Sequence, residues 1–357
     1  MSCFPSGYWE KYPNTATVIT TYTCNAACKE CCFECNPSVK ARLSLDEIKQ
    51  FITHSKANFP GLKLVVFSGG ECFLLGKDLI EAIHFASEHG LLTRCVTNGY
   101  WGKNREKAQK IAQDLTDAGI TEINISTGKD HSEWVPIDSV VAATEALAGQ
   151  NITTLITVEQ DTADSAIATQ ITQNPIIKRL KEQNKISLQR NTWMPFYDTS
   201  EERKNVPNRD QQLTKGCDQV FENIVLTPHG EISACCGLTL EHIPEMKLGR
   251  LQSGDLAQLF KGQEEDFMKV WLRTEGPYKI LEKYRPQDSN INLEKIVHPC
   301  QACAYLHKDK RTRQNLLDNY HEEIIPVIKK FNAKERLNLL IYQSAAENTV
   351  DSNIRGK

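Results

Sequence analysis

Between Thr15 and Pro195 short apolar runs alternate with amphipathic helical segments, and this alternation limits the fold more than any other feature of the chain. The strand candidates are residues 17–22, 63–67, 93–97, 122–126, 152–158 and 186–190. Each is rich in β-branched residues and nearly continuous in apolar character, as strands covered on both faces of a parallel sheet are. Helical periodicity fills the gaps at 44–54, 78–88, 105–118 and 137–148, with a less regular stretch at 174–183. The starts carry ordinary signals: Ser44 and Glu47 form a capping-box pair, and Pro136 stands just ahead of a helix. Six βα units predict an α/β fold, a partial (β/α)6 TIM-type barrel over residues 15–200, open on one side. Parallel barrels set their chemistry at the C-terminal strand ends. Those ends read Cys24, Ser68-Gly69-Gly70-Glu71, Thr97-Asn98-Gly99, Ser126-Thr127-Gly128 and Gln189-Arg190.

Cys24, Cys28 and Cys31 follow the first strand in C-x3-C-x2-C spacing. Three thiolates on one loop can hold three irons of a [4Fe–4S] cube and leave the fourth iron open to chelate a small molecule. The chain has 13 cysteines, and in a reducing compartment clustered cysteines favour metal ligation over disulfides. Ten of them form two groups, Cys24 to Cys35 and Cys217, Cys235, Cys236, Cys300 and Cys303, so two metal sites are expected. Structural zinc is the plain alternative, although Cys24–Cys28 is one residue wider than a zinc knuckle. The net charge of −3, with acidic and basic residues mixed throughout, gives no footprint for nucleic acid. No apolar run approaches the ~20 residues that span a bilayer. Residues 1–10 lack the cationic start and apolar core of a signal peptide, so a cytoplasmic protein without membrane partners is expected.

Beyond Ser200 the pattern changes. Residues 201–212 are polar and read as a linker, and 223–226 and 231–235 flank the turn Thr227-Pro228-His229-Gly230 as a β-hairpin. A helical stretch at 255–273 precedes a loop containing Pro277, Pro286 and Asn290, then Cys300-Gln301-Ala302-Cys303. The tail at 311–345 reads as two helices broken near Pro326 and Asn332, with the last dozen residues disordered.

Cys24, Cys28 and Cys31, followed one strand later by Gly69-Gly70-Glu71, resemble the radical S-adenosylmethionine (SAM) superfamily, whose partial barrel fits the six βα units. The resemblance implies that the open iron binds the methionine end of SAM. Reductive cleavage there gives a 5′-deoxyadenosyl radical that abstracts hydrogen from a substrate. It assigns Gly69, Gly70 and Glu71 to the methionine group, with an ordinary strand-end turn as the plain reading of the glycines. Glu30 stands where relatives carry an aromatic residue at the adenine contact, and Cys72 where they often have proline. Asn98 and Ser126 resemble ribose contacts, with cap or turn roles as the alternative. Cys32 and Cys35 are then spare thiols, and Cys3, Cys72 and Cys95 packing thiols.

The second group resembles the twitch domain, the short relative of the SPASM domain, over residues 213–310. Cys217, Cys235, Cys300 and Cys303 would close one auxiliary [4Fe–4S] cluster, with Cys236 a non-ligand neighbour and residues 311–345 a helical tail. The same four cysteines would also suit zinc. His298 is expected to be structural, and the basic run 307–313 a solvated helix start. Tyr100, Trp101, Trp193, Met194 and Tyr197 follow strand ends and either line the cavity or pack its mouth.

The expected function is a radical SAM oxidoreductase that oxidatively modifies or crosslinks a ribosomally made peptide, served by a reductant such as flavodoxin or ferredoxin. The segment before the first strand is too short for a leader-binding domain, so a leader would need a separate protein or the tail. One alternative is a radical SAM dehydrogenase of a small alcohol, a sugar or aminocyclitol. Another is a non-catalytic zinc-binding scaffold. The sequence names no catalytic side chain.

Overall fold

The computed structural model describes residues 4–160, 162, 165–195, 203, 209–238, 240–253 and 255–355. Cys3, Tyr197 and most of the expected linker at 201–212 lie outside the described residues, although the end of that linker forms the short helix Arg209–Leu213.

Six parallel strands follow one another in sequence order: β1 (Thr15–Ile19), β2 (Leu64–Ser68), β3 (Leu92–Thr97), β4 (Glu122–Gly128), β5 (Thr153–Gln160) and β6 (Ile186–Thr192). Helices Leu45–Asn58, Lys77–Glu88, Arg105–Asp117 and Ile137–Gly149 connect the first five. The last crossover holds two helices, Ala166–Gln173 and Pro175–Glu182, of which the sequence pattern revealed only the second. The Ser44–Glu47 capping box forms in both directions. Val18, Val65, Phe67, Ile123 and Ile125 meet Phe51, Leu79, Ile83 and Leu115 in one apolar core, which fixes the strand ends against the helices.

β1 begins two residues earlier than expected and stops at Ile19, because Tyr22 turns to bond its N–H to Ala41 O at 2.9 Å rather than continue the ladder. The hairpin strands β7 (Asn223–Leu226) and β8 (Glu231–Ser233), with β9 (Lys247–Arg250), do not form a separate sheet. β7 pairs in parallel with the free edge of β1, Val18 standing opposite Leu226, so one nine-stranded sheet runs β6-β5-β4-β3-β2-β1-β7-β8-β9. This join protects the β1 edge and carries the second cysteine group next to the first.

A second core lies beyond that edge. Phe221, Trp271, Leu272, Ile280, Leu281, Val327 and Phe331 pack with Tyr8 and Tyr12 from the N-terminal segment. Three expectations fail in this region. Residues 277–284 form a helix rather than a loop, since Pro277 sits at its first position, where the missing N–H has no helical partner to lose. After it, Cys300 and Cys303 stand within the first two turns of the helix Pro299–Lys308. The tail is the helix Lys310–Asn319 followed by one helix, Ile324–Arg355. Pro326 falls in its first turn, where proline is tolerated, and Asn332 lies inside it, so neither breaks it and the expected disordered end is helical to Arg355. Among the described residues no helix is long and apolar enough to cross a membrane.

Candidate functional site

The cysteine loop is pinned from both sides before any ligand is considered. Thr20 N–H donates to Ser68 O at 2.8 Å, and Cys24 N–H to Asn36 O at 3.3 Å. Within the loop, Cys31 N–H donates to Cys28 O at 3.2 Å, Ala26 N–H to Cys24 Sγ at 3.4 Å and Cys35 N–H to Cys31 Sγ at 3.4 Å. Amides aimed at sulfur favour the thiolate forms that a metal needs.

The glycines after β2 have a structural reason. Gly70 N–H bonds Thr21 O at 2.7 Å and Glu71 N–H bonds Thr23 O at 3.1 Å, which draws the two backbones together. A Cβ on Gly69 would stand 2.4 Å from Thr21 O, at a φ of +137°, and one on Gly70 would stand 2.3 Å from Thr23 O. Only glycine allows that approach. Both glycines also line the cavity described next.

Above the strand ends lies a cavity of about 480 Å³. Cys24, Cys28 and Cys31 open onto it, as do Gly69, Gly70, Asn98 and Ser126. Glu30 and Glu71 are buried and stand outside this lining. Glu71 accepts from Phe73 N–H at 3.0 Å, Thr97 Oγ1–H at 2.9 Å and Asn98 N–H at 2.8 Å, so it positions the β3 end. The carbonyl of Glu30 accepts from Trp193 Nε1. Asn98 serves both as turn and as bridge: its Oδ1 accepts from Tyr100 N–H at 3.0 Å, and its Nδ2 donates to Asn25 Oδ1 at 2.9 Å on the cysteine loop. Of the aromatic candidates, Trp193 lines the cavity. Trp101 is buried, stacked on Phe73, with Nε1 on Thr97 Oγ1 at 3.3 Å.

The thiols differ in acidity. Burial raises Cys24 to about 11 and pushes Cys28 higher still, whereas the Cys35 thiol, hydrogen-bonded to Cys31, brings Cys31 down to about 6. Cys32 and Cys35 are buried in the same cavity wall.

Two residues that the sequence reading did not single out complete the wall. His131 Nδ1 lies 3.1 Å from Glu159 Oε2, and Glu159 Oε1 accepts from the N–H groups of Asp130 and His131 at 2.7 and 3.1 Å. Burial disfavours the imidazolium, but the Glu159 carboxylate outweighs it and raises His131. A Cβ on Gly128 would meet Glu159 Cγ at 1.9 Å, so that glycine at the end of β4 was the available signal. Asn124 Oδ1, on β4 and in the lining, has no hydrogen-bond partner among the described residues, which suits a polar guest.

A second cavity, about 350 Å³, is lined by Cys217, Cys235, Cys300 and Cys303 together. Cys217 N–H is fixed to Leu272 O at 2.8 Å. A Cβ on Gly237 would lie 3.2 Å from Cys300 Sγ and 3.7 Å from Cys235 Sγ, so two thiols converge on a gap that glycine keeps clear. His298 caps the Pro299–Lys308 helix by accepting Cys300 N–H at 3.1 Å, and burial lowers it to about 4, the satisfied structural role expected of it. Cys236 faces the other way: it lines the first cavity, with its Sγ 2.8 Å from Gln219 Oε1. Asp218 and Gln219 line both cavities and form the wall between them. Among the described residues no three His, Cys, Asp or Glu side chains are close enough to share a single metal ion.

Residues 18–133 match the family described as the radical SAM superfamily. The chain is 25% identical over 243 residues, 63% of its own length and 70% of the relative's, to the putative peptide biosynthesis protein YydG of Bacillus subtilis (strain 168). Its fold is similar to that of native anSMEcpe with bound AdoMet, with a TM-score of 0.55, 14% identity, and coverage of 88% of this chain and 99% of that one. The same protein with bound AdoMet and Cp18Cys peptide gives a TM-score of 0.54 at 15% identity and the same coverage. The family implies SAM and a [4Fe–4S] cluster, and the three-thiol loop beside a glycine-lined cavity suits both. Residues 18–133 are thus a radical SAM domain.

Proposed function

We propose that this enzyme oxidatively modifies or crosslinks a ribosomally made peptide. The observation that carries the reading is one wall, Asp218-Gln219, separating the cavity that Cys24, Cys28 and Cys31 line from the cavity that Cys217, Cys235, Cys300 and Cys303 line. When bound, SAM and its cluster supply a 5′-deoxyadenosyl radical. Cys24, Cys28 and Cys31 would ligate three irons and leave one for SAM. The backbones of Gly69 and Gly70, with Asn98 and Ser126, would hold the cofactor. Glu71 positions Asn98, and Glu30 with Trp193 closes the side of the site.

Cys217, Cys235, Cys300 and Cys303 would ligate the auxiliary [4Fe–4S] cluster, which would take up the electron released when the substrate radical is oxidised to product. We assign residues 15–200 to the barrel, 213–310 to the auxiliary-cluster unit and 311–345 to the helical tail. A flavodoxin- or ferredoxin-type reductant would supply electrons in the cytoplasm. The peptide class is supported by the name of the relative from Bacillus subtilis.

The test is anaerobic incubation of the reconstituted enzyme with SAM, a reductant and each short peptide encoded next to its gene. Mass spectrometry should find 5′-deoxyadenosine together with a peptide that has lost a hydrogen pair. Deoxyadenosine formed while the peptide mass stays unchanged would reject the peptide reading.

A further inference from the structure

A third cavity, about 230 Å³, lies away from both cysteine sites, between the helices Phe267–Glu275, Pro299–Lys308 and Lys310–Asn319. Its walls are apolar: Phe267, Met268, Trp271, Leu306, Leu316 and Tyr320. Phe267 lies 5.4 Å from Trp271 and 6.1 Å from Tyr320, ring centre to ring centre, so the slot is aromatic along one side. The charges at its rim are mutually satisfied. Lys269 Nζ stands 2.6 Å from Asp266 Oδ2, and Arg313 Nη2 stands 2.8 Å from Glu245 Oε1.

One polar atom in this lining is left over. The His307 side chain is 7% exposed, and its Nε2 has no hydrogen-bond partner among the described residues. A buried polar atom left unpaired in this way costs stability, and natural structures keep few of them without a function. Its chemistry is set by the other ring nitrogen. Nδ1 faces the Glu245 carboxylate, 3.7 Å from Oε2, which favours the tautomer with the proton on Nδ1. Nε2 is then an acceptor, and it requires a donor from whatever enters.

The shape and the chemistry together specify the guest. The space holds one aromatic ring and is too small for the face of a helix or for a second folded copy. The ring must carry a single O–H or N–H at its edge. Met246 lines both this slot and the four-cysteine cavity, so a chain anchored here runs one side chain away from the redox-active region. We propose that the slot is a docking site for a tyrosine or tryptophan side chain of the peptide substrate, its phenol O–H or indole N–H donated to His307 Nε2. This rests on the peptide reading above. It adds a second, non-reacting point of attachment, and substrate selection for peptides that carry an aromatic donor at the matching distance from the modified residue.

The test uses the full reconstituted enzyme and two small probes of nearly equal size, p-cresol and toluene, followed by ligand-observed NMR. Losing a donor to a buried acceptor should weaken binding by about tenfold, so toluene should bind about that much more weakly than p-cresol. His307→Phe should abolish the preference while leaving toluene affinity within about twofold, which also shows that the variant is folded. Leu317, 52% exposed at the slot's edge, gives a second variant: Leu317→Trp should block both probes.

With the peptide itself, replacing the anchoring aromatic residue by alanine should raise KM with little change in kcat, and His307→Phe should add nothing further. Equal affinity for the two probes, or a preference that survives His307→Phe, would overturn the slot whether or not a peptide is turned over. A cresol preference without peptide turnover would overturn the peptide as occupant and leave a phenol site. Self-association that Trp134→Ala and Leu317→Trp each abolish, Trp134 being 45% exposed, would assign the slot to an exposed tryptophan of a second copy and overturn the proposal.

Discussion

Glu71 holds the backbone N–H of Asn98 at 2.8 Å across 27 positions of sequence, and this bond sets the β3 end against the cysteine loop. Glu71 is fully buried, and burial raises its carboxyl to about 7 against the pull of the three donors. Its folded pKa lies above the unfolded one, so its contribution is fully present below about pH 4.5 and is lost as pH rises through about 7. Denaturant unfolding of the cluster-free protein should lose on the order of 3 kcal/mol across that window, and Glu71→Gln should remove this pH dependence. The same slope in both proteins would contradict the assignment.

Gly70→Ala should be among the most damaging small substitutions in the barrel. The added methyl would meet Thr23 O at 2.3 Å and Cys24 Cβ at 3.2 Å, both fixed by the loop's own hydrogen bonds. A cost of roughly 3 kcal/mol or more is expected, because backbone must shift. Gly230→Ala, with φ +72° and nothing within 4 Å, should cost only about 1 kcal/mol. Thermal unfolding of the two variants measures the difference.

The C-terminal helix is tied to the wall between the two cysteine cavities by one arginine. Arg273 is 1% exposed, with Nε on Glu335 Oε1 at 2.9 Å, Nη2 on Glu222 Oε1 at 2.6 Å and Nη1 on Asp218 O at 3.3 Å. Glu335→Leu alone should cost about 3–5 kcal/mol by leaving a buried guanidinium short of a partner. The double variant Arg273→Met with Glu335→Leu should recover part of that loss. Additive costs in the double-mutant cycle would show that the pair is not coupled.

Replacing Cys24, Cys28 and Cys31 together by alanine should lower reconstituted iron from roughly eight to about four per chain and abolish SAM cleavage. Cys35→Ala should leave both, even though Cys35 hydrogen-bonds Cys31. Iron analysis and deoxyadenosine release check the pair. Cleavage lost in Cys35→Ala with the iron retained would give that thiol a role beyond packing.

The barrel was legible because each of its signals is local. Apolar runs of strand length, a capping box at Ser44 and prolines ahead of helices point to the same six units that the sheet contains. The resemblance to the twitch domain picks out the four dispersed cysteines as a set, and the fold brings all four to one cavity. The join of β7 to β1 was not legible, because pairing such as Val18 with Leu226, 208 positions apart, leaves no trace in periodicity. His131 and Glu159 escaped for a related reason. Each is an ordinary residue locally, and their meaning comes from β4 and β5 ending side by side. The unbroken C-terminal helix was not legible, because no cap or other start signal stands just ahead of Ile324 to put Pro326 in a first turn rather than in a helix interior.

The central claim is that Cys24, Cys28 and Cys31 hold a cluster whose fourth iron accepts SAM. Electron paramagnetic resonance of the reduced protein tests it most directly, in a variant with Cys217, Cys235, Cys300 and Cys303 replaced so that a single cluster remains. Adding SAM should change the cluster's spectrum, and SAM labelled at the amino nitrogen or carboxylate of its methionine moiety should couple to the iron. A spectrum unaltered by SAM would contradict the account.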